Sequence, residues 1–265
     1  MSRIAQRFKE LKERNEAALI PFITTGYPDL QQSLRIVLAL AEAGADIIEL
    51  GIPYSDPVAD GPVIQKASQQ ARAAGMDLKA FFSLVAEVRR KTGVPLVAMT
   101  YYNPVFVCGQ KRFADNCRQS GIDGVILSDL PPEEGEEWLK IAAGAGLDTI
   151  LLAAPTSTEE RLRRAIDSTS GFIYCVSRLG VTGADQDLSS SLRPRLERMR
   201  AMTDKPLCVG FGLSMPEHIR QVAALADGAV IGSALVRLIA DNAAAPDLLD
   251  KVRGFTALLK QATIR

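Results

Sequence analysis

Short apolar runs alternate with longer amphipathic stretches along the chain. In the first amphipathic stretch, Ile4–Asn15, the residues Ile4, Phe8 and Leu11 recur at helical spacing and share one face. Ala18–Thr24 then reads as a strand, closed by Gly26 and Pro28. The same alternation predicts further strands at Ile47–Leu50, Pro95–Thr100, Gly124–Leu127, Asp148–Leu152, Phe172–Val176, Leu207–Val209 and Gly228–Ile231. Helices are predicted from Asp29 to about Glu42, over Pro62–Ala74 and Asp77–Lys91, and near Gln110–Gln119, Glu133–Ala143 and Ser190–Met202. Gly232-Ser233 opens another, and Pro246–Ala262 is the last. Three helix starts have capping-box spacing: Asp29 with Gln32, Ser157 with Glu160 and Ser214 with Glu217.

Eight strand–helix units follow one another with no break in composition. Glycine-containing turns, AGAD at Ala43–Asp46, SGIDG at Ser120–Gly124 and AGLD at Ala145–Asp148, lead into strands. Eight such units in about 250 residues predict a (β/α)8 TIM barrel of the α/β class. The pattern adds an N-terminal helix and extra helices after strands 2 and 8, all in one domain spanning residues 1–265. A doubly wound sheet is the alternative. It would more often carry a glycine-rich dinucleotide loop after its first strand, and Thr24-Thr25-Gly26-Tyr27-Pro28 is not one.

Composition narrows the function. Lysine plus arginine equals aspartate plus glutamate, 31 each, which gives no hint of a nucleic-acid or anionic-membrane partner. No apolar run approaches the roughly 18 residues of a membrane span. The N-terminus, MSRIAQRFKELKERNEAA, does not read as a secretory signal. Cys108, Cys117, Cys175 and Cys208 show no paired spacing, as expected of reduced thiols in a cytoplasmic protein. His218, the only histidine, is expected on a helix surface, and a single histidine excludes a His-based metal cluster.

The candidate chemistry centres on Ile47–Gly61, IIELGIPYSDPVADG. Glu49 lies in an apolar strand, where an acid is costly unless paired or hydrogen-bonded. Asp56 and Asp60 follow on a loop that Gly51, Pro53 and Pro57 keep from being helical. The plain alternative is that Glu49 pairs with a cation and the aspartates cap turns. In a barrel, catalytic groups stand at strand C-termini. Strands 1 to 4 deliver Phe22, Glu49, Tyr102 and Asp129 there; strands 6 to 8 deliver Tyr174, Phe211 and Gly232. The last three loops carry LGVTG (Leu179–Gly183), GFG (Gly210–Gly212) and Gly232-Ser233 opening a helix, a pattern suited to phosphate as well as to ordinary turns. With the aromatic strand ends, this favours a flat apolar ligand with a phosphate tail. No predicted strand carries a lysine for a Schiff base: Lys205 precedes strand 7 and Lys66 lies on a helix. Carbon–carbon chemistry here must rest on carboxylates, with the substrate as its own electron sink.

Ile48–Gly61, IELGIPYSDPVADG, resembles the signature of the tryptophan synthase α-subunit family. PFITTGYPD at Pro21–Asp29, LGVTG, VGFG at Val209–Gly212 and IGSALV at Ile231–Val236 resemble it in the same order, over essentially the whole chain. The resemblance implies a lyase that cleaves indole-3-glycerol phosphate to indole and glyceraldehyde 3-phosphate by a retro-aldol reaction. It implies that Glu49 is the acid/base and that Asp60 stabilises the charge on the ring nitrogen. Phe22 and Phe211 would line the indole pocket, Tyr174 would stand near the substrate, and Gly183, Gly212, Gly232 and Ser233 would contact its phosphate; Tyr102 is a substrate-binding candidate from its strand end alone. Thr182 would lie on a mobile loop closing onto Asp60. The family works as an α2β2 complex whose β subunit holds pyridoxal phosphate, with no cofactor in the α chain. Pro53, Asp56, Pro57 and Asn103 would face that partner. Thr100 and Ser128 are more polar than the leucine and alanine of the family pattern. A sister enzyme, indole-3-glycerol phosphate synthase, would use a barrel lysine that this chain lacks. A non-catalytic activator of the β subunit would tend to lose Glu49 or Asp60, and both are present.

Overall fold

The computed structural model describes residues 1–154, 156–176, 188–210 and 212–265. In order, these form α1 (Arg3–Glu13), β1 (Ala18–Thr24), α2 (Leu30–Glu42), β2 (Ile48–Gly51), α3 (Pro62–Ala73), α4 (Leu78–Arg89), β3 (Leu96–Thr100), α5 (Tyr102–Cys108), α6 (Gln110–Ser120) and β4 (Gly124–Leu127). Then come α7 (Glu136–Ala145), β5 (Asp148–Thr149), β6 (Leu152–Ala153), α8 (Glu159–Ser168), β7 (Ile173–Val176), α9 (Leu188–Arg200), β8 (Leu207–Gly210), α10 (Pro216–Ala223), β9 (Gly228–Ile231), α11 (Ser233–Asp241) and α12 (Leu248–Gln261). The strands are parallel, in the order β5-β4-β3-β2-β1-β9-β8-β7-β6.

The two ends of that order, β5 and β6, are one run divided at Ile150 and Leu151. Its first half bonds to β4, with Ile150 N donating to Val125 O at 3.1 Å; its second half meets β7, with Tyr174 N donating to Leu151 O at 3.0 Å. The run turns from one neighbour to the other and brings the sheet round into a barrel. This replaces the unbroken strand expected over Asp148–Leu152.

Strand alternation sorts side chains into two cores. Ala18, Ile20, Ile47, Val97, Ile126, Ile150, Phe172, Tyr174 and Val230 fill the barrel, together with Ile4, Phe8 and Leu11 of α1. The first helix therefore plugs the N-terminal end of the barrel. Leu19, Ile23, Ile48, Leu50, Leu96 and Ala98 face outward and pack with helix residues such as Ile36, Leu40, Phe81 and Val85. With both faces covered, β1 is buried at every position, as its continuous apolar run requires.

The turns entering β2, β4 and β9 share a device at the same barrel end. Asp46 accepts Leu19 N at 2.8 Å, Asp123 accepts Leu96 N at 2.9 Å, and Asp227 accepts Leu207 N at 2.9 Å. Each aspartate satisfies an N–H of the preceding strand and meets a cation: Lys260, Arg89 with Arg3, and Arg200 respectively. Arg89 is held further by the carbonyls of Gly121, Thr92 and Val94.

Several local expectations are corrected. Helix α5 was not expected; Pro104 stands in its first turn, where no intrahelical N–H is lost. Asp129, beyond β4, accepts Tyr102 N at 2.7 Å and so caps α5 from across the sheet. Helix α7 begins at Glu136 rather than Glu133, because Pro131 and Pro132 set turns whose carbonyls accept from Glu134 N and Gly135 N. Thr158, not Ser157, caps α8. Ser214 does not cap α10; Met215 holds that position, and His218 Nδ1 accepts Ser214 N at 3.3 Å. Asp29 does cap α2, accepting Gln32 N at 2.8 Å. Among the described residues no helix is long and apolar enough to cross a membrane.

Candidate active site

Glu49 is the second residue of β2, in register with Phe22 of β1 and Val97 of β3. It is fully buried, and among the described residues neither carboxylate oxygen has a hydrogen-bond partner. Among the described residues, the ion pair that would have made it a structural acid is therefore not there. Burial pushes its carboxyl up to about 8, so at neutral pH it holds its proton. Tyr174, also buried, is pushed well above the usual phenol range by burial and by the nearby Glu49 charge. Phe22 lies flat against β2: a Cβ on Gly51 would come within 2.6 Å of its ring. Glycine at 51 thus makes room for the aromatic residue beside the acid.

Asp60 stands on the loop between β2 and α3. Burial raises its carboxyl to about 6, while a hydrogen bond from the Tyr101 hydroxyl acts the other way. Asp56 is exposed on the same loop and accepts from Ser55 Oγ at 2.5 Å. Neither contact is the turn cap of the plain alternative. Phe22, Asp60, Met99, Tyr101 and Ser128 are among the residues lining one cavity at the C-terminal ends of β1 to β4. Thr100 lines it as well, and its carbonyl accepts from Ser128 Oγ at 3.2 Å.

The aromatic residue delivered by β3 is Tyr101, not Tyr102. Tyr102 begins α5, where its ring packs on Phe106 at 5.9 Å between centroids. The period of two would have found this: Val97 and Met99 point inward, so the next inward residue is 101.

Gly232 precedes α11 with no side-chain cap, leaving the N–H groups of that first turn for another acceptor. A Cβ on Gly232 would touch Phe22 at 3.7 Å, so this helix start lies beside the ring. Ser233, the first helical residue, is exposed. Gly212 is exposed and has φ +85°, a backbone that glycine adopts without strain. Thr182, Gly183 and Phe211 lie outside the described residues. Lys205 donates to the carbonyls of Ile166 and Thr169, and Lys66 is exposed on α3. Neither is a Schiff-base candidate.

Pro53 and Pro57 are half-buried on the loop after β2, and Asn103 is exposed on α5. Asn103 Nδ2 donates to the Tyr54 hydroxyl at 3.0 Å, tying the two segments together. Val58, Phe106 and Val107 are 84%, 64% and 75% exposed on those segments. These are three of the large apolar side chains the fold leaves exposed. Phe106 and Val107 were missed because without α5 their direction could not be known.

The family model described as tryptophan synthase alpha chain matches residues 8–263. The tryptophan synthase alpha chain of Geotalea uraniireducens is 48% identical over 260 residues, covering 98% of this chain and 97% of that relative. That of Geobacter sulfurreducens is 46% identical over 262 residues, with 99% of each chain covered. Among solved structures, tryptophan synthase subunit alpha from Legionella pneumophila superposes with a TM-score of 0.93 at 34% identity, covering 99% of this chain and 98% of that one. A chain of Mycobacterium tuberculosis tryptophan synthase gives 0.91 at 37% identity, with 100% and 99% covered. The chain belongs to the tryptophan synthase alpha chain family.

Proposed function

We propose that this chain, by family a lyase of tryptophan biosynthesis, cleaves indole-3-glycerol phosphate with Glu49 as acid/base and Asp60 as the partner of the ring nitrogen. The observation that carries the assignment is a fully buried carboxyl in a barrel strand, without a hydrogen-bond partner among the described residues, with a second raised acid on the loop that follows the same strand. Two acids pushed to about 8 and about 6 divide the work between a proton donor and a standing anion.

The protonated Glu49 gives its proton to the ring carbon that bears the glycerol chain, and the ring nitrogen becomes cationic. Asp60, ionised, stabilises that cation. The Glu49 carboxylate then takes the proton of the adjacent side-chain hydroxyl. The carbon–carbon bond breaks, its electron pair returns to the ring, and the hydroxyl carbon leaves as the aldehyde. Indole and glyceraldehyde 3-phosphate form, and Glu49 ends protonated, as it began. Phe22, Tyr174 and Phe211 bound the ring. Gly183, Gly212, Gly232 and Ser233 present backbone or hydroxyl donors to the phosphate, with α11 adding its N-terminal dipole. Thr182 closes its loop onto Asp60. The reaction uses no cofactor of this chain.

The chain acts as one barrel domain in the cytoplasm, bound to a β subunit that carries pyridoxal phosphate, in an α2β2 assembly. Exposed Val58, Phe106 and Val107 beside Pro53, Asp56, Pro57 and Asn103 supply the docking surface. The test is incubation of the purified chain with indole-3-glycerol phosphate, alone and with its β subunit. Indole and glyceraldehyde 3-phosphate should appear in equal amounts. Absence of both, with phosphate ligand bound, would leave a binding protein and not an enzyme.

A further inference from the structure

We propose that Tyr101 is a positioning residue for Asp60, holding the aspartate and the residue before it through one hydroxyl; this rests on the role given to Asp60 above. Tyr101 is 5% exposed at the end of β3. Its hydroxyl accepts the N–H of Ala59 at 3.0 Å and, in the cavity lining it shares with Asp60, faces that carboxyl as its donor. Two consecutive residues of the β2–α3 loop thus converge on one oxygen. Only a group that both accepts and donates can make this pair of bonds, and phenylalanine can make neither.

The same loop also fixes the ring. Tyr54 packs on Tyr101 with centroids 5.3 Å apart, and the Tyr54 hydroxyl accepts from Asn103 on α5. The loop therefore holds Tyr101 by its face at Tyr54 and by its tip at Ala59 and Asp60. Because Tyr101 belongs to the barrel wall, this clamp places a loop carboxylate relative to strand-borne Glu49.

The chemistry gives the clamp its purpose. An Asp60 that balances a ring cation must be ionised and aimed. Asp129, beyond β4, adds a second negative charge on Tyr101, and Asp56 stands on the same loop as Asp60. The cations of α3, Lys66 and Arg72, are exposed. Burial drives Asp60 toward its neutral form, and the hydroxyl bond opposes that drive. The phenol itself stays protonated, raised to about 12 by burial and by the charges of Asp60 and Asp129.

The experiment is single-turnover indole release against pH for the β-bound chain and its Tyr101→Phe variant. The acid limb should move up by on the order of one pH unit when a donor to the ionised form is lost. Turnover should fall about fivefold near pH 6 and recover toward neutrality. The alkaline limb, set by Glu49, should stay in place. A second form carrying 3-fluorotyrosine at 101, a stronger donor, should move the acid limb down. Glycerol phosphate binding checks that each form is folded. Unmoved limbs, or a uniform loss at every pH, would overturn the proposal. Asp60→Asn separates the two levels: normal turnover there defeats the role of Asp60 itself. Loss there with an unmoved limb in Tyr101→Phe defeats only the positioning role.

Discussion

Replacing Glu49 by glutamine should stabilise the protein, and do so only as pH rises. Glu49 is fully buried with no hydrogen-bond partner among the described residues, and its carboxyl is raised from 4.5 to about 8. Between those values the unfolded chain releases the proton and the folded chain keeps it. The unfolded state binds fewer protons, so stability falls as pH climbs through this window and levels above about 8. At about 1.36 kcal/mol per unit, a shift of roughly 3.5 units costs at most about 5 kcal/mol above pH 8, and about 3 kcal/mol at pH 7. Glutamine has nearly the same shape and does not titrate. Glu49→Gln should therefore match the parent near pH 5 and exceed it by several kcal/mol at pH 9. Urea denaturation followed by circular dichroism at pH 5, 7 and 9 measures this. A difference that stays constant across that range would mean that Glu49 has a counter-charge, and the acid/base argument built on its burial would fail.

Three further outcomes follow from other parts of the molecule. Gly232→Val places a branched side chain beside the first turn of α11 and against Phe22; glycerol phosphate binding, by calorimetry, should be lost with the fold intact. Asp123→Asn leaves Arg89 without its carboxylate in a half-buried site, and urea unfolding should report a loss of about 2–4 kcal/mol, at the lower end because carbonyls still hold the guanidinium. Phe106→Glu, at a position 64% exposed, should leave stability unchanged and weaken β-subunit binding about tenfold or more in titration.

The barrel was legible because buried parallel strands must be apolar on both faces and the helices between them must be amphipathic. Ala18–Thr24, Gly124–Leu127 and Gly228–Ile231 are strands over the predicted spans. Glu49 stood out because an acid inside such a run needs a reason. What escaped depended on contacts distant in sequence. Helix α5 is capped by Asp129, 27 residues after Tyr102. The break between β5 and β6 arises because one strand serves two neighbours. Ser214 has capping spacing, yet its N–H is taken by His218. Tyr101 was accessible to strand alternation, but two adjacent tyrosines obscured which one faced inward. Phe106 and Val107 looked like ordinary apolar positions until α5 turned them outward.

The most direct test of the account is single-turnover cleavage of indole-3-glycerol phosphate by the β-bound Glu49→Gln chain near pH 7. Loss of the general acid/base should reduce indole release by at least about 10²–10⁴-fold. Glycerol phosphate should still bind as it does to the parent. Near-normal indole release by this variant would contradict the account, because the proton would then be transferred without the group to which it is assigned.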